Sequence, residues 1–251
     1  MDHATDRAVL VTGASRGIGR AVATAFAANG DRVAIHHRNS PGLAEDLCGR
    51  LPGKGHTVVC ADLTDPAAVK TMVDTAAERL GGLDVLVNNA GVFLAHPILE
   101  TSYERWQELW RQTLETNLVG AANVTWCAVR HMRRGGRIVN ISSRGAFRGE
   151  PECPAYGASK AGLNALGQSL AVALAPLGIS VTTVAPGFVE TDMTNEHLKP
   201  PRGDEIRAQS PFNRVARAEE VAAAVLWLAS PAAEWASGAI LDLNGASYLR
   251  S

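Results

Sequence analysis

Seven short apolar runs punctuate the chain: AVLVTG at 8–13, VAIHH at 33–37, TVVCAD at 57–62, LDVLVNNAG at 83–91, GRIVNISS at 136–143, ISVTTVAPG at 179–187 and GAILDLNG at 238–245. Between them lie segments of helical period near 18–29, 41–51, 66–80, 102–131, 155–177 and 217–229. Short, near-uniformly apolar strands that alternate with helices form a parallel sheet covered on both faces. The expected class is α/β, a doubly wound seven-stranded parallel sheet with helices on both sides. The 251 residues hold no Ser-, Gly- or Pro-rich linker and no internal repeat, so they read as one domain, 1–251. The least regular piece, 188–216, follows the sixth strand at the carboxyl edge, where open α/β sheets bind ligands. A substrate lid with short helical turns is expected there.

The 29 residues from Ala161 to Val189 contain no Asp, Glu, Lys, Arg or His. They are not a membrane span, because Asn164, Gln168, Ser169, Pro176, Gly178, Pro186 and Gly187 break any run of about 20 apolar residues. A net charge of -1 gives no basic field for nucleic acid or anionic lipid. Cys48, Cys60, Cys127 and Cys153 lack CxxC pairing and read as free thiols of a reducing cytoplasm. His36 and His37 are neighbours on a strand and point to opposite faces, so no metal site is expected from them. The opening MDHATDRAVLVTG has no apolar segment before a cleavage site and is not a secretory signal.

The first strand runs into Thr12, Gly13, Ala14, Ser15, Arg16, Gly17, Ile18 and Gly19, followed by a helical pattern. A glycine turn between strand and helix makes a pyrophosphate cradle: the glycines permit close backbone approach, and the helix start offers free N–H donors. The spacing is GxxxGxG rather than the general GxGxxG. TGASRGIG at 12–19, NNAG at 88–91, Asn117, Ser143, the Tyr156–Lys160 run YGASK and Pro186-Gly187 together resemble the short-chain dehydrogenase/reductase family, in order over nearly the whole chain. Within it, PGFVETDMT at 186–194 is most similar to the 3-oxoacyl-acyl-carrier-protein reductases. The resemblance implies a Rossmann-type fold and a nicotinamide cofactor. It places Gly13, Ser15, Arg16, Gly17, Ile18 and Gly19 at the phosphates, and Asn89, Ala90 and Gly91 along the ribose. It also sets Pro186, Gly187, Val189 and Thr191 around the nicotinamide.

NAD-selective sites place a carboxylate at the end of the second strand, whereas a 2′-phosphate needs a cation. Here the chain reads His36-His37-Arg38-Asn39-Ser40, and Arg16 supplies a second cation, so NADPH/NADP+ is expected. Asp62, beside Leu63 at the end of the third strand, is placed by resemblance on the adenine amine; the alternative is a cap on the following helix, which Asp65 serves as readily. The family gives Asn88 a role in holding structure.

Tyr156 and Lys160 are i and i+4 on one helix, about 5–6 Å apart at Cβ. A tyrosine titrates near about 10, and an adjacent ammonium is expected to lower that value, making Tyr156 the general acid of ketone reduction. Ser143, closing the fifth strand, is expected to donate to the substrate oxygen, with Ser142 directed to the other face. By resemblance Asn117 completes the tetrad by holding a water beside Lys160. The expected substrate wall is Phe93, Arg144, Arg148, Glu150, Glu152 and Cys153 with the lid. Three readings stand: an NADPH-dependent reductase of a carrier-bound 3-oxoacyl thioester; a stand-alone reductase of a small-molecule ketone such as a polyketide, sugar or secondary metabolite; and a catalytically silent dinucleotide sensor. For carrier docking only Arg133 and Arg134 remain, because the helix over 155–177 ends in the uncharged SLAVALAPLG. That helix, with Leu163, Leu166, Leu170, Leu174 and Leu177 expected against the sheet, leaves a second face without charge. By resemblance a partner subunit covers it, so a homotetramer or homodimer is expected.

Overall fold

The computed structural model describes residues 6–250; the first residues of the opening segment, on which the secretory-signal reading partly rests, lie outside them. In chain order the elements are β1 (Ala8–Val11), α1 (Gly17–Ala28), β2 (Arg32–His37), α2 (Pro41–Arg50), β3 (Thr57–Cys60), α3 (Pro66–Leu80) and β4 (Leu83–Asn88). Then come α4 (Tyr103–Leu114), a π-helical turn Glu115–Val119, α5 (Gly120–Val129), β5 (Met132–Ile141), α6 (Gly145–Arg148), α7 (Pro154–Leu174) and β6 (Ser180–Pro186). The last are β7 (Val189–Glu190), α8 (Arg202–Ala208), β8 (Ala216–Arg217), α9 (Ala218–Leu228) and β9 (Ile240–Leu243).

Seven strands form one parallel sheet in the order β3-β2-β1-β4-β5-β6-β9. Alternate residues of each strand feed two cores. Val9, Val11, Val33, Ile35, Val85 and Val87 pack with Val22 and Phe26 of α1 and Val225 and Leu228 of α9. Leu10, Leu86, Ile138 and Val181 pack on the other face with Val69, Met72 and Val73 of α3, Val124 of α5 and Ala171 of α7. Both faces being covered explains why the strands read as continuous apolar runs. The switch in strand order, between β1 and β4, opens a crevice at their carboxyl ends.

Local signals set the helix ends. Asp65 caps α3 by accepting from the Ala67 and Ala68 N–H groups, Pro66 opens it, and Gly81 closes it at φ 74°. This leaves Asp62 out of the cap. The single helix expected over 102–131 is instead α4 and α5 joined by the π-helical turn. The leucine stripe holds in part: Leu163 is buried and the half-buried Leu170 and Leu174 pack against the core, whereas Leu166 is half-buried and Leu177 is exposed, and Asn164, Gly167 and Ala171 are buried beside them. Small side chains let α7 sit close to β5 and β6: a Cβ on Gly167 would lie 3.0 Å from Asn140 Nδ2 and 3.1 Å from Thr183 Oγ1. The 188–216 segment is more regular than expected, since β7 and β8 pair in parallel and α8 lies between them. Among the described residues no helix is long and apolar enough to cross a membrane.

Candidate active site

The turn between β1 and α1 is held from three sides. Thr12 Oγ1 accepts from the Asn89 and Ala90 N–H groups at 2.9 and 3.0 Å, and Asn89 Nδ2 donates to the Thr12 and Gly13 carbonyls. The Gly13 N–H donates to His36 Nδ1 at 3.0 Å, and His36 Nε2 faces the Ala61 carbonyl at 3.1 Å. These partners require the neutral ring protonated on Nε2, and burial lowers the His36 pKa to about 4. No side chain fits at Gly19, where a Cβ would lie 2.3 Å from the Gly13 carbonyl oxygen. Gly13 and Gly17 hold φ of 63° and 54°. Helix α1 begins without a side-chain cap, so its first-turn N–H groups face the crevice unshielded.

One cavity of about 380 Å³ follows this turn along the crevice. Every residue expected at the cofactor lines it: Gly13, Ser15, Arg16, Gly17, Ile18 and Gly19 from the turn, Arg38, Asp62 and Leu63 at one end, and Asn89, Ala90 and Gly91 midway. Tyr156, Lys160, Pro186, Gly187, Val189 and Thr191 line the other end, with Ser143. Sequence reading missed His37, Asn39, Ser40 and Met193, which line the same space. It also placed no acid beside Arg38, yet Asp62 Oδ2 stands 3.9 Å from Arg38 Nη1, both side chains being about half exposed. Burial opposes ionisation of Asp62, but hydrogen bonds from Thr64 and the Arg38 charge prevail and lower its pKa.

At the chemical end β5 delivers two serines to opposite sides. Ser142 Oγ donates to the Lys160 carbonyl at 3.3 Å, whereas the Ser143 hydroxyl lies beside the Tyr156 phenol and accepts from the Gly145 N–H. Lys160 Nζ donates to the Ile141 carbonyl at 2.8 Å. Asn117, in the π-helical turn, brackets Val92: its Oδ1 accepts from the Val92 N–H at 2.8 Å and its Nδ2 donates to the Val92 carbonyl at 3.0 Å. Asn117 Oδ1 and Lys160 Nζ both crowd Gly91, at 3.2 and 3.5 Å from where its Cβ would stand. The four side chains expected to form a tetrad thus gather at one end of one cleft.

Their electrostatics differ from expectation. Burial raises the Tyr156 phenol to about 12, with Glu150 adding to the rise and Ser143 opposing it, and burial lowers Lys160 to about 8. Nζ stands 5.8 Å from the Tyr156 ring centroid and is committed to Ile141, so desolvation of each charged form outweighs their attraction.

The family model described as enoyl-(acyl carrier protein) reductase matches residues 13–245. The 3-oxoacyl-[acyl-carrier-protein] reductase FabG of Escherichia coli (strain K12) is 38% identical over 242 residues, 96% of each chain, and that of Salmonella typhimurium is 37% identical over the same span. The chain belongs to the short-chain dehydrogenase/reductase family. Two solved structures of such enzymes superpose closely. A short chain dehydrogenase from Burkholderia cenocepacia J2315 in complex with NADP has a TM-score of 0.89 and 35% identity, covering 98% of this chain and 99% of that one. A dehydrogenase/reductase from Sinorhizobium meliloti 1021 has a TM-score of 0.91 and 31% identity, covering 98% and 96%. The chain is therefore an oxidoreductase on a Rossmann-type sheet.

In this reductase the expected substrate wall does not form one surface. Phe93 meets Tyr156 edge-on at 4.8 Å, with His197 of the 188–216 segment 5.6 Å from Phe93. Cys153 is fully buried at the start of α7, and burial pushes its thiol up to about 12. Arg144 is buried and turned away, donating to Ser247 Oγ at 2.7 Å and lying 5.4 Å from the Phe188 ring centroid. Arg148 bonds Gln209 and Glu152 bonds Arg202, both at the exposed surface, and Glu150 packs against Gly145 with its pKa raised by burial. Arg133 and Arg134 lie in the irregular start of β5, before Arg137 and at the opposite end of the strand from Ser143, so they do not form a docking patch at the cleft mouth.

Sequence reading also missed His96. It is 1% exposed, its ring meets Trp106 and Trp110 edge-on, its Nδ1 faces the Leu94 carbonyl at 2.6 Å and its Nε2 accepts from the Ala155 N–H at 3.1 Å. It thereby caps the first turn of α7, which has no cap from its own Cys153 side chain and carries Tyr156 as the next residue.

Proposed function

We propose that this enzyme reduces a ketone to a secondary alcohol with NADPH, Tyr156 acting as general acid. The carrying observation is that the Ser143 and Tyr156 side chains lie beside each other on the same cleft that the glycine turn lines. When bound, the nicotinamide supplies the hydride. The residues fit such a group: the turn free of side chains at Gly13, Gly17 and Gly19, the free N–H groups of α1 and the cavity's extent match a dinucleotide's pyrophosphate and two ends. Arg16 and Arg38 hold the 2′-phosphate, Asp62 the adenine amine, and Asn89, Ala90 and Gly91 the ribose. Val189 and Thr191 flank the nicotinamide. Ser143 donates to the substrate oxygen, Tyr156 protonates it, and Lys160 with Asn117 passes the proton on.

Two hydroxyl donors converging on one point suit an oxygen that gains negative charge, as in carbonyl reduction. Hydride addition to an enoyl thioester, the reaction that the family model's description names, also builds negative charge on an oxygen, that of the enolate, before carbon is protonated, so it is the names of the relatives that favour ketone reduction. The substrate class is a 3-oxoacyl thioester or a related ketone, as the names of the relatives indicate. A free, small-molecule ketone is the second reading, favoured by the absence of a basic patch on α7 and by the distance of Arg133 and Arg134 from the cleft. The 188–216 segment, whose His197 approaches Phe93, acts as the lid. The outer faces of α5 and α7, where Trp126 is 56% and Val172 79% exposed, are the contact surfaces of a homo-oligomer.

Measuring NADPH oxidation with a carrier-bound and a free 3-oxo ester tests the assignment. Turnover of either is expected, and its loss in Tyr156→Phe with cofactor binding intact identifies the acid. Retained activity in that variant refutes the mechanism, and no turnover of any ketone leaves the dinucleotide-sensor reading.

A further inference from the structure

A second cavity, of about 170 Å³, lies behind the Pro186–Val189 turn and shares no lining residue with the first. Pro186, Gly187 and Val189 face the cofactor cleft, whereas Phe188 faces the second cavity with Arg144, Ser210, Phe212, Asn244 and Ser247. These come from three parts of the chain: the segment after β5, the lid and the stretch after β9.

The charge balance of this space is uneven. Arg214 on its wall is neutralised by a two-pronged pairing with Glu220 at 2.7 and 2.8 Å. Arg144 is 3% exposed and, among the described residues, meets no carboxylate within ion-pair distance; its one side-chain hydrogen bond goes to Ser247 Oγ. A guanidinium stays charged at any physiological pH, and burying it without a counter-charge is costly. Arg144, which feels Arg148 and Glu150 but pairs with neither, thus lines this space with Ser210, Asn244, Ser247 and the Phe188 and Phe212 rings. The volume has room for several waters or one small organic molecule.

We propose that this cavity binds a small monocarboxylate, its carboxylate on Arg144 and Ser247 and its short apolar tail against Phe188 and Phe212. The ligand is distinct from substrate and cofactor. Arg144 follows Ser143, and its N–H donates to the Pro186 carbonyl at 2.8 Å. An occupant therefore ties together the segment bearing Ser143, the turn on the cofactor cleft and the C-terminal stretch.

The test is thermal unfolding of the full chain saturated with NADP+, which fills the first cavity, titrated with butyrate at constant ionic strength against chloride and inorganic phosphate. Butyrate is expected to raise Tm in proportion to the logarithm of its concentration above Kd, by about 2–4 °C at about fivefold Kd. Arg144→Met abolishes the rise, and Tyr156→Phe keeps it. Ser247→Leu, which fills the cavity and leaves Arg144 in place, gives a second readout should Arg144→Met fail to fold, and it too abolishes the rise. No rise in the wild-type chain beyond that given by chloride, an equal rise in Ser247→Leu, or a rise with phosphate and none with butyrate overturns the proposal.

Discussion

Replacing His96 by leucine removes two polar contacts while keeping an apolar side chain of similar size between Trp106 and Trp110. The Ala155 N–H loses its acceptor and the Leu94 carbonyl loses its donor, both in a site that is 1% exposed at His96. A buried group left unpaired costs about 1–3 kcal/mol, so the pair costs about 2–6 kcal/mol. For a chain of this size 1 kcal/mol shifts Tm by about 2–4 °C, and a fall of about 8–16 °C is expected for the middle of that range. The effect on turnover follows from Ala155 preceding Tyr156: a shift of about 1 Å in a reacting group costs about 100-fold in rate. The measurement is kcat for NADPH-dependent ketone reduction well below the variant's Tm, with cofactor Kd measured alongside. Kd is expected to stay at the wild-type value, since the glycine turn does not touch His96. His96→Gln, whose amide oxygen stands in for Nε2, restores most of kcat; His96→Asn, which is too short for Ala155, does not. A leucine variant that loses stability but keeps wild-type kcat refutes the claim that His96 positions Tyr156.

Arg38→Asp puts a carboxylate where the 2′-phosphate is assigned and is expected to reverse the preference for NADPH over NADH, losing about 10–100-fold in NADPH affinity. Unchanged NADPH affinity contradicts the assignment. Gly19→Ala forces a methyl to within 2.3 Å of the Gly13 carbonyl, with overpacking of about 1–3 kcal/mol and cofactor binding weakened about tenfold; equal affinity by fluorescence titration argues against the cradle. Burial lowers Lys160 from 10.5 to about 8, so below pH 8 the folded chain carries a buried ammonium that the unfolded chain keeps in water. That cost is about 3 kcal/mol, and it is relieved as pH rises from 8 to 10.5, where the unfolded chain binds more protons than the folded one. Lys160→Met is therefore expected to be inactive yet more stable at pH 7 by up to about 3 kcal/mol, less the bond lost to Ile141. Denaturant unfolding that shows no gain, or a gain that persists unchanged at pH 11, contradicts this.

Backbone geometry was the legible part. Strand periodicity placed all seven strands of the main sheet, and the glycine turn and the Tyr156–Lys160 spacing put side chains along one cleft because β-strand ends and helix faces are fixed by local rules. Side-chain direction after the strands was not legible. Arg144 follows Ser143 directly, yet it turns under Phe188 toward Ser247, 103 residues on, a contact made by the C-terminal stretch alone. His96 carried no signal either, since its partners Leu94 and Ala155 are backbone atoms and any sequence offers those. The Tyr156 pKa was misjudged for a related reason. Spacing along a helix gives proximity to Lys160, but the desolvation that dominates comes from every element packed around it.

The π-helical turn at 115–119 makes chain length itself a functional quantity. A π turn holds one residue more than the α-helix it interrupts, and here that residue belongs to the turn that presents Asn117 to Val92 and Ser159. Deleting any one residue between 115 and 119 leaves composition, hydropathy and helix propensity almost untouched. It nonetheless closes the turn into regular α-helix, with α5 kept in phase with α4 because the residue removed is the one that the π turn had absorbed. The wide turn that holds Asn117 on Val92 is then lost, while Val124 of α5 keeps its place against α3 and the sheet. A single-residue gap in an aligned relative at this point therefore marks a chain whose proton path is built differently, even where Ser143, Tyr156 and Lys160 are all present.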